Sequence, residues 1–284
     1  MSKEEPPDFK QEQAISPAWL KVQQARHPKR PSPMDLINGI FAEFSEIHGD
    51  RAFGDDEAVV CGMARLDSNQ VMVIGIRKGT TLKERIKSNF GMPNPEGYRK
   101  ALRCMKIAEK FGRPVISIVD VVAAYPGPGA EERGQAEAIA RNLREMSRLR
   151  VPTVSVISGE GGSGGALALA VADRVLMLEN AVYFVAPPEF AASLTWRNPE
   201  QKHLAAKAMR VSAPEVLELG CVDEIVPEPP GGAHTDPVAA TEVLKGALKK
   251  NLLQLQVIPT ETLVAVRQRK LRNIARFYTK PDNL

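Results

Sequence analysis

The feature that most restricts the fold is a glycine-rich segment between two apolar runs. Residues 158–166 read SGEGGSGGA; they follow PTVSVI and precede LALAVA. The first run is typical of a buried strand, and the second is typical of a helix packed on a sheet. The pattern predicts a strand at 152–157, a glycine loop at 158–163 and a helix at 164–172.

Strands alternate with helices along the rest of the chain, which predicts an α/β fold with a mostly parallel sheet. Further strands are predicted at 58–66 and 71–78, joined as a hairpin by the turn 67–70, and at 114–122, 174–179, 181–186 and 222–229. Helices are predicted at 34–48, 95–112, 131–149, in short pieces within 188–219, at 236–256 and at 260–277. The predicted organisation is an N-terminal arm (1–33) with a short helix near Trp19, a main domain (34–256) and a C-terminal helix (257–284).

Composition limits the classes of protein. The chain has 284 residues, of which 43% are apolar and 25% charged, as in soluble globular proteins. It has no apolar run of membrane-spanning length and no secretory leader, so we expect a cytoplasmic protein that does not bind a membrane. A net charge of +4 and few aromatic residues give no reason to expect nucleic-acid binding. Cys61, Cys104 and Cys221 are too far apart in sequence to indicate a zinc site.

Two known motifs overlap in the glycine segment. Gly159, Gly161 and Gly164 match the dinucleotide-binding fingerprint, and Glu179 follows at the expected distance. This motif normally opens a domain, whereas here at least three strands precede it. The spacing Gly161-x-Ser163-x-Gly165 matches the nucleophile elbow, for which Asp223 and His234 come in the right chain order. Three residues between the predicted strand and this motif argue against an elbow.

Main-chain chemistry explains the glycines better. A turn that only brings a helix close to a sheet needs two glycines, not five. Glycines leave amide N–H groups at a helix N-terminus accessible to a ligand, where they stabilise negative charge that develops on an oxygen. A second donor is expected from segment 120–135 (DVVAAYPGPGAEERGQ), which follows the neighbouring predicted strand.

At this point the residues resemble a known family, the alpha subunits of the carboxyltransferase of bacterial acetyl-CoA carboxylase. The matching blocks span about residues 19–256 and include ARHPKRP (25–31), GDRAFGDDEAVVCGMARLD (49–67), NFGMPNPEGYRKALR (89–103), AYPGPGAEERGQAEAIARNLREMSRL (124–149), GEGGSGGALAL (159–169) and PEPPGGAH (227–234).

The resemblance implies a crotonase-like spiral of ββα units and a reaction of fatty acid biosynthesis, in which CO2 moves from carboxybiotin on a biotin carboxyl carrier protein to acetyl-CoA. It implies a beta subunit, usually in an α2β2 assembly, that carries the zinc and most of the acyl-CoA site. The residues placed in catalysis are Gly164, Gly165, Ala123 and Ala124. Those placed in cofactor binding are Gly161, Gly162, Ser163, Tyr125, Pro126, Gly127, Glu189 and Phe190.

The chain departs from the family pattern close to these residues. Val121-Val122-Ala123 stands where the family typically has Thr-Pro-Gly, and Pro187-Pro188-Glu189-Phe190 stands where it typically has Ser-Pro-Glu-Gly. Segment 75–79 (GIRKG) replaces Gly-His-Gln-Lys-Gly. The extra methyl of Ala123 and the ring of Phe190 are expected to narrow the biotin pocket. They suggest a specialised paralogue with a different acyl acceptor or carboxyl donor. Two alternatives stay open: a biotin-independent malonyl-thioester decarboxylase or acyl transferase, and a non-catalytic partner of a beta-like subunit.

Overall fold

The computed structural model describes residues 16–79 and 81–274. The first 15 residues of the predicted arm and the last residues of the predicted C-terminal helix, 275–284, lie outside the described part. No helix in the described part is long and apolar enough to cross a membrane.

One mixed sheet organises the described residues. Its strands are β1 Ala42–Glu46, β2 Val59–Leu66, β3 Asn69–Ile76, β4 Val115–Val121, β5 Thr153–Gly162, β6 Arg174–Leu178, β7 Val182–Phe184 and β8 Glu224–Val226. The order is β1-β2-β3-β4-β5-β6-β8, and β7 pairs with the far end of β5. Strands β1 to β3 are antiparallel and the other pairs are parallel, so the α/β prediction is confirmed.

Helices cover both faces and the ends of the sheet. They are α1 Pro17–Ala25, α2 Pro33–Ile40, α3 Leu82–Lys87, α4 Pro95–Lys110, α5 Pro128–Glu132, α6 Gln135–Met146, α7 Ser163–Ala170, α8 Pro188–Trp196, α9 Lys202–Ala208, α10 Ala213–Glu218, α11 Pro237–Gln256 and α12 Thr260–Arg272. Short 3-10 turns lie at Asn89–Gly91 and Pro199–Gln201. Helix α1 confirms the helix near Trp19 and packs against β7 and α9 around Val22 and Phe184.

The predicted helix at 34–48 is wrong in its second half. Helix α2 ends at Ile40, and the chain then forms the edge strand β1 against β2. The segment contains good helix formers, but tertiary pairing overrides propensity. Gly62 on β2 leaves the space that the Phe44 ring fills, because an added Cβ there would lie 2.5 Å from the ring. The ring thereby holds β1 on the sheet.

The predicted helix at 131–149 is divided in two. Helix α5 starts earlier than expected, at Pro128, and the chain breaks at Gly134 before α6 begins. Gly134 has a φ of 82°, a left-handed conformation that glycine adopts without strain. The break lets α5 take a different direction from α6, which packs alongside α4 and α7.

Candidate functional site

The strand before the glycines is longer than the sequence predicts. Strand β5 continues through Gly162, buried along its whole length, so residues 158–162 are strand and not loop. Helix α7 begins at the next residue, Ser163, whose φ of 51° lies in the left-handed region. A non-glycine residue in this conformation is strained, and such strain concentrates at functional sites. The strand-to-helix turn is therefore sharp and sits at the carboxyl end of the sheet.

Two glycines bring this turn into contact with the segment after β4. A Cβ on Gly162 would overlap the carbonyl oxygen of Val122. A Cβ on Gly165 would lie 2.6 Å from the Ala124 nitrogen and 2.9 Å from the Ala123 carbonyl carbon. Only glycine allows main chain to approach main chain this closely. The structure thus places the predicted catalytic residues Gly165, Ala123 and Ala124 side by side, with Gly164 next to them.

The contact between residues 164–165 and residues 123–124 forms a junction whose amide groups have no main-chain partner among the described residues. Helix α7 has no side-chain cap, and no hydrogen bond from the described residues reaches the amides of Gly164, Gly165, Ala123 or Ala124. Gly164, Ala123 and Ala124 are only half-buried, whereas Gly165 is buried. Free amides in the first turn of a helix carry a partial positive charge and form a natural anion site. The junction can therefore hold an oxygen that carries negative charge.

Side chains from two helices hold the junction in place through hydrogen bonds to main-chain carbonyls. The Tyr98 hydroxyl on α4 donates to the Gly165 carbonyl at 3.2 Å, and burial raises the pKa of this hydroxyl so that it stays protonated. Gln135 on α6 donates to the carbonyls of Pro93 and Tyr125 at 2.8 and 2.9 Å. The bonds to Gly165 and Pro93 are buried and the bond to Tyr125 is partly buried, so these contacts hold the two turns rigidly.

Three of the predicted binding residues lie on the loop after β4. The Tyr125 amide donates to the Pro93 carbonyl at 2.9 Å, and its half-buried ring contacts the space above Gly127, where a Cβ would clash. Gly127 precedes α5, and Pro126 is exposed. These residues follow Ala124 directly and form the outer wall of the junction.

Two more of the predicted binding residues, Glu189 and Phe190, lie on α8. Arg26 at the end of α1 donates to Glu189 and also to Glu160 on β5, the latter at 2.7 Å. Burial alone would raise the pKa of Glu189, but the hydrogen bonds from Arg26 outweigh it and lower the pKa, so Glu189 is ionised. Phe190 is 57% exposed. Glu189 therefore serves as an anchor of α8, and the Phe190 ring points to solvent in this chain.

A largely apolar cavity of about 450 Å³ adjoins the glycine turn. Ser163 and Gly164 form one end of its wall, and Tyr183, Phe184 and Leu271 are among its apolar lining residues. Phe190 does not line this cavity, so the expected narrowing by its ring is not found there. Of the four junction residues, Gly164 is the one that lines the cavity. An apolar cavity that borders a few polar main-chain groups is typical of a site for a small molecule or cofactor.

Neither of the two motif interpretations fits this geometry. Gly159 and Gly161 lie inside β5 instead of forming a turn over a phosphate. This geometry excludes the interpretation of the segment as a dinucleotide-binding motif. The objection to an elbow was wrong, because Ser163 directly follows the strand. An elbow also needs a base, and no histidine lines the cavity. His234 stacks on His27 with ring centroids 3.7 Å apart.

Replacing Ser163 by glycine is expected to stabilise the fold by about 1 kcal/mol, because glycine adopts a left-handed φ without strain. The midpoint of thermal unfolding should rise by roughly 2–4 °C. Ser163→Ala is the matched control, since it keeps the strain and should bring no gain. Both variants should retain the activity of the protein; loss of activity in both would restore Ser163 as a nucleophile.

Sequence reasoning missed a set of charged residues next to the junction. Asp120 lies in β4, one residue before the end of the strand, and its carboxylate lies 2.5 Å from Lys78 Nζ. The same Lys78 lies 3.8 Å from the Glu160 carboxylate. The only signal in the sequence is that Asp120 and Glu160 interrupt apolar strands near their carboxyl ends. In the described part, no group of three His, Cys, Asp or Glu side chains is placed to hold a metal ion.

The mixed, mostly parallel sheet with its surrounding helices is a crotonase-like fold, which this chain shares with solved structures of carboxylating and decarboxylating enzymes. The chain resembles in fold transcarboxylase 12S, crystallised with methylmalonyl-coenzyme A, with a TM-score of 0.61 at 21% identity; the match covers 81% of this chain and 43% of that one. A Pseudomonas malonate decarboxylase hetero-tetramer in complex with coenzyme A gives a TM-score of 0.62 at 20% identity, covering 76% and 86%.

Sequence comparison identifies the family within this class. A family model described as acetyl co-enzyme A carboxylase carboxyltransferase-like matches residues 10–275. The acetyl-coenzyme A carboxylase carboxyl transferase subunit alpha of Geobacter sulfurreducens is 54% identical over 259 residues, 91% of this chain and 81% of that protein. Its Escherichia coli counterpart is 54% identical over 254 residues, 89% and 80%. The chain belongs to this family of carboxyltransferase alpha subunits, as the sequence motifs predicted.

Proposed function

We propose that this chain forms the biotin side of a carboxyltransferase that moves CO2 from carboxybiotin, carried by a biotin carboxyl carrier protein, to acetyl-CoA or a related acyl-CoA. The observation that carries the proposal is the contact between two strand-end turns whose amides have no hydrogen-bond partner among residues 16–79 and 81–274. Family membership supports the reaction class. The choice of carboxybiotin as donor rests on the fit of its polar oxygen and apolar body to the junction and the cavity. The choice of an acyl-CoA as acceptor rests on family membership.

The junction fits a group that has one polar oxygen and an apolar body. The glycines leave a cradle that a single Cβ at Gly162 or Gly165 would fill. The amides of Gly164 and Gly165, with those of Ala123 and Ala124, would hold the ureido oxygen. The apolar cavity at Ser163 and Gly164 offers room for the ring and its chain. When bound, carboxybiotin supplies the carboxyl group that is transferred.

In this proposal the chain contributes main-chain electrostatics rather than a side-chain base. The four amides stabilise negative charge on the oxygen they face, and loss of one such donor typically costs about a hundred- to a thousandfold in rate. The turns are held rigidly by buried contacts, so the amides need no reorganisation as the charge develops. Gly161 and Gly162 keep the strand close to its neighbour, and the loop 125–127 and α8 border the approach to the site.

The acyl-CoA acceptor is proposed to bind at a partner subunit of the beta type, usually in an α2β2 assembly, which would also carry any zinc. We propose a cytoplasmic enzyme of fatty acid synthesis or of a related pathway. The changes at Val121-Val122-Ala123 and at Phe190 suggest a specialised paralogue. Because the Phe190 ring is exposed, no observation favours the biotin-independent alternative over this proposal.

The test is reconstitution with the beta-type subunit of the same organism. The assembly is expected to carboxylate biocytin with malonyl-CoA as donor, and each subunit alone is expected to be inactive. Acetyl-, propionyl- and butyryl-CoA would be compared as acceptors in the forward direction. Absence of biotin-dependent transfer with any of these thioesters would overturn the proposal. Decarboxylation of malonyl-CoA without biotin would support the alternative enzyme instead.

A further inference from the structure

Strand β5 contains an irregularity just before the glycine turn. It pairs with β4 in regular register up to Val119 and Ile157, and pairing resumes at Val121 and Gly161. Between these two pairs, β4 has one residue and β5 has three, so β5 carries two extra residues opposite Asp120. A bulge of this kind bends a strand and redirects its end, and bulges are common next to active sites.

The bulge is held by buried polar contacts from three other segments. The Glu160 amide donates to Asp120 Oδ1 at 2.8 Å, and Lys78 Nζ lies 2.5 Å from the same oxygen. The Ser158 hydroxyl donates to the Val119 carbonyl at 3.2 Å. Arg30 Nε donates to the Ser158 carbonyl at 2.8 Å.

Gly159 lets the Asp120 carboxylate enter the bulge. A Cβ on Gly159 would lie 2.5 Å from Asp120 Oδ1, so a larger residue would displace the carboxylate. Asp120 is buried, with 10% of its side chain exposed. Buried polar groups that satisfy each other in this way specify one arrangement of the backbone.

The bulge lies immediately upstream of both amide-bearing turns. Asp120 precedes Ala123 by three residues, and Glu160 precedes Gly164 by four. Beyond the bulge, Gly161 and Gly162 pair with β7 while they cross Val121 and Val122. The position of the Gly164 turn relative to the Ala123 turn therefore depends on the contacts that Asp120 makes in the bulge.

We propose that Asp120, oriented by Lys78, is a positioning residue that sets the spacing between the amides of Gly164 and Gly165 and those of Ala123 and Ala124. The inference rests on the proposed function, because it concerns the amides that would face the reacting oxygen. A displacement of about 1 Å in such a group can cost roughly a hundredfold in rate. Neither Asp120 nor Lys78 needs to touch the ligand for this effect.

The test compares variants in the reconstituted assembly. Asp120→Ala, which leaves the Glu160 amide without its acceptor, should lower kcat about a hundredfold with KM changed less than about threefold. Asp120→Asn keeps an acceptor oxygen and should lower kcat only about tenfold. Thr153→Val is the matched control: it removes a buried hydrogen bond to Asp173 at the opposite end of β5 and should leave kcat within about twofold of wild type.

A double-variant cycle separates positioning from ligand contact. If Lys78 acts through Asp120, Lys78→Met should lower kcat about tenfold, and the pair Lys78→Met/Asp120→Asn should be no slower than the slower single variant. Additive losses, or a rise in KM alone, would assign Lys78 to ligand binding and overturn the proposal. Equal kcat for Asp120→Ala and Thr153→Val would overturn it as well.

Hydrogen–deuterium exchange tests, independently of activity, whether Asp120 fixes the position of the turns. In Asp120→Ala the amides of 160–162, which are bonded to Asp120 or paired in the sheet, should exchange at least about tenfold faster than in Thr153→Val. If the wild-type assembly transfers no carboxyl group but this difference is found, the proposed function fails while the role of Asp120 in fixing the turns stands. Unchanged exchange would refute that role. If Asp120→Ala does not fold, Asp120→Asn and Lys78→Met carry the same comparison.

Discussion

Replacing Gly165 by alanine is expected to lower carboxyl transfer at least about a hundredfold, whereas Gly164→Ala should lower it less than about tenfold. The added methyl at Gly165 would lie 2.6 Å from the Ala124 nitrogen, and main chain cannot rotate away as a side chain can. At Gly164 the nearest atom is a methyl of Ile139 at 3.5 Å, an ordinary contact. The measurement is biocytin carboxylation by the reconstituted assembly.

The two glycine variants control for each other because they differ by one position in the same helical turn. Gly164→Ala should unfold at the same temperature as wild type or slightly higher, since alanine favours a helix over glycine. Gly165→Ala is expected to lose about 1–3 kcal/mol of stability from overpacking. Equal activity of the two variants would show that the contact between the turns does not matter for the reaction.

Replacing Arg267 by methionine is expected to destabilise the fold by about 3–5 kcal/mol. Arg267 on α12 is completely buried and bonds both carboxylate oxygens of Asp173, at 2.8 and 2.6 Å. Its remaining N–H groups donate to the carbonyls of Met146, Leu149 and Val151. Without the guanidinium, Asp173 keeps a buried charge with fewer partners, and three carbonyls lose their donor. The midpoint of thermal unfolding should fall by roughly 10 °C.

Arg269→Met on the same helix is the control for Arg267→Met. Arg269 is exposed, so its replacement should change the free energy of unfolding by less than about 0.5 kcal/mol. A small effect of Arg267→Met would mean that α12 contributes little to the stability of the domain. Unfolding followed by circular dichroism distinguishes these outcomes.

Local patterns predicted most of the fold because they depend on neighbours in sequence. The hairpin is one example: β2 and β3 meet at Leu66 and Asn69, and Asp67 takes the left-handed φ of a tight turn. The predicted strand before the glycines stopped too early, because residues 158–162 carry no apolar pattern. They are held in the sheet by β4 and β7, which the local sequence cannot reveal.

The sequence allowed us to predict the two main-chain turns of the site, but not the side-chain ion pairs around them. The glycine turn and the segment after β4 could be paired, since neighbouring parallel strands end at the same edge of a sheet. The ion pairs around them join residues far apart in sequence, such as Lys78 with Asp120 and Arg26 with Glu160. No periodicity or spacing encodes such contacts, so only the folded structure brings them together.

The two extra residues of β5 determine how far the start of α7 lies beyond the end of β4. A strand advances about 3.3 Å per residue, so deletion of two residues from 158–160 would draw the start of α7 back by roughly 6–7 Å. The amides would then lie alongside β4 instead of beyond its end. An enzyme built on this sheet can accept insertions in its outer loops, but a change in the length of this inner segment would remove the opening that a reactant must enter.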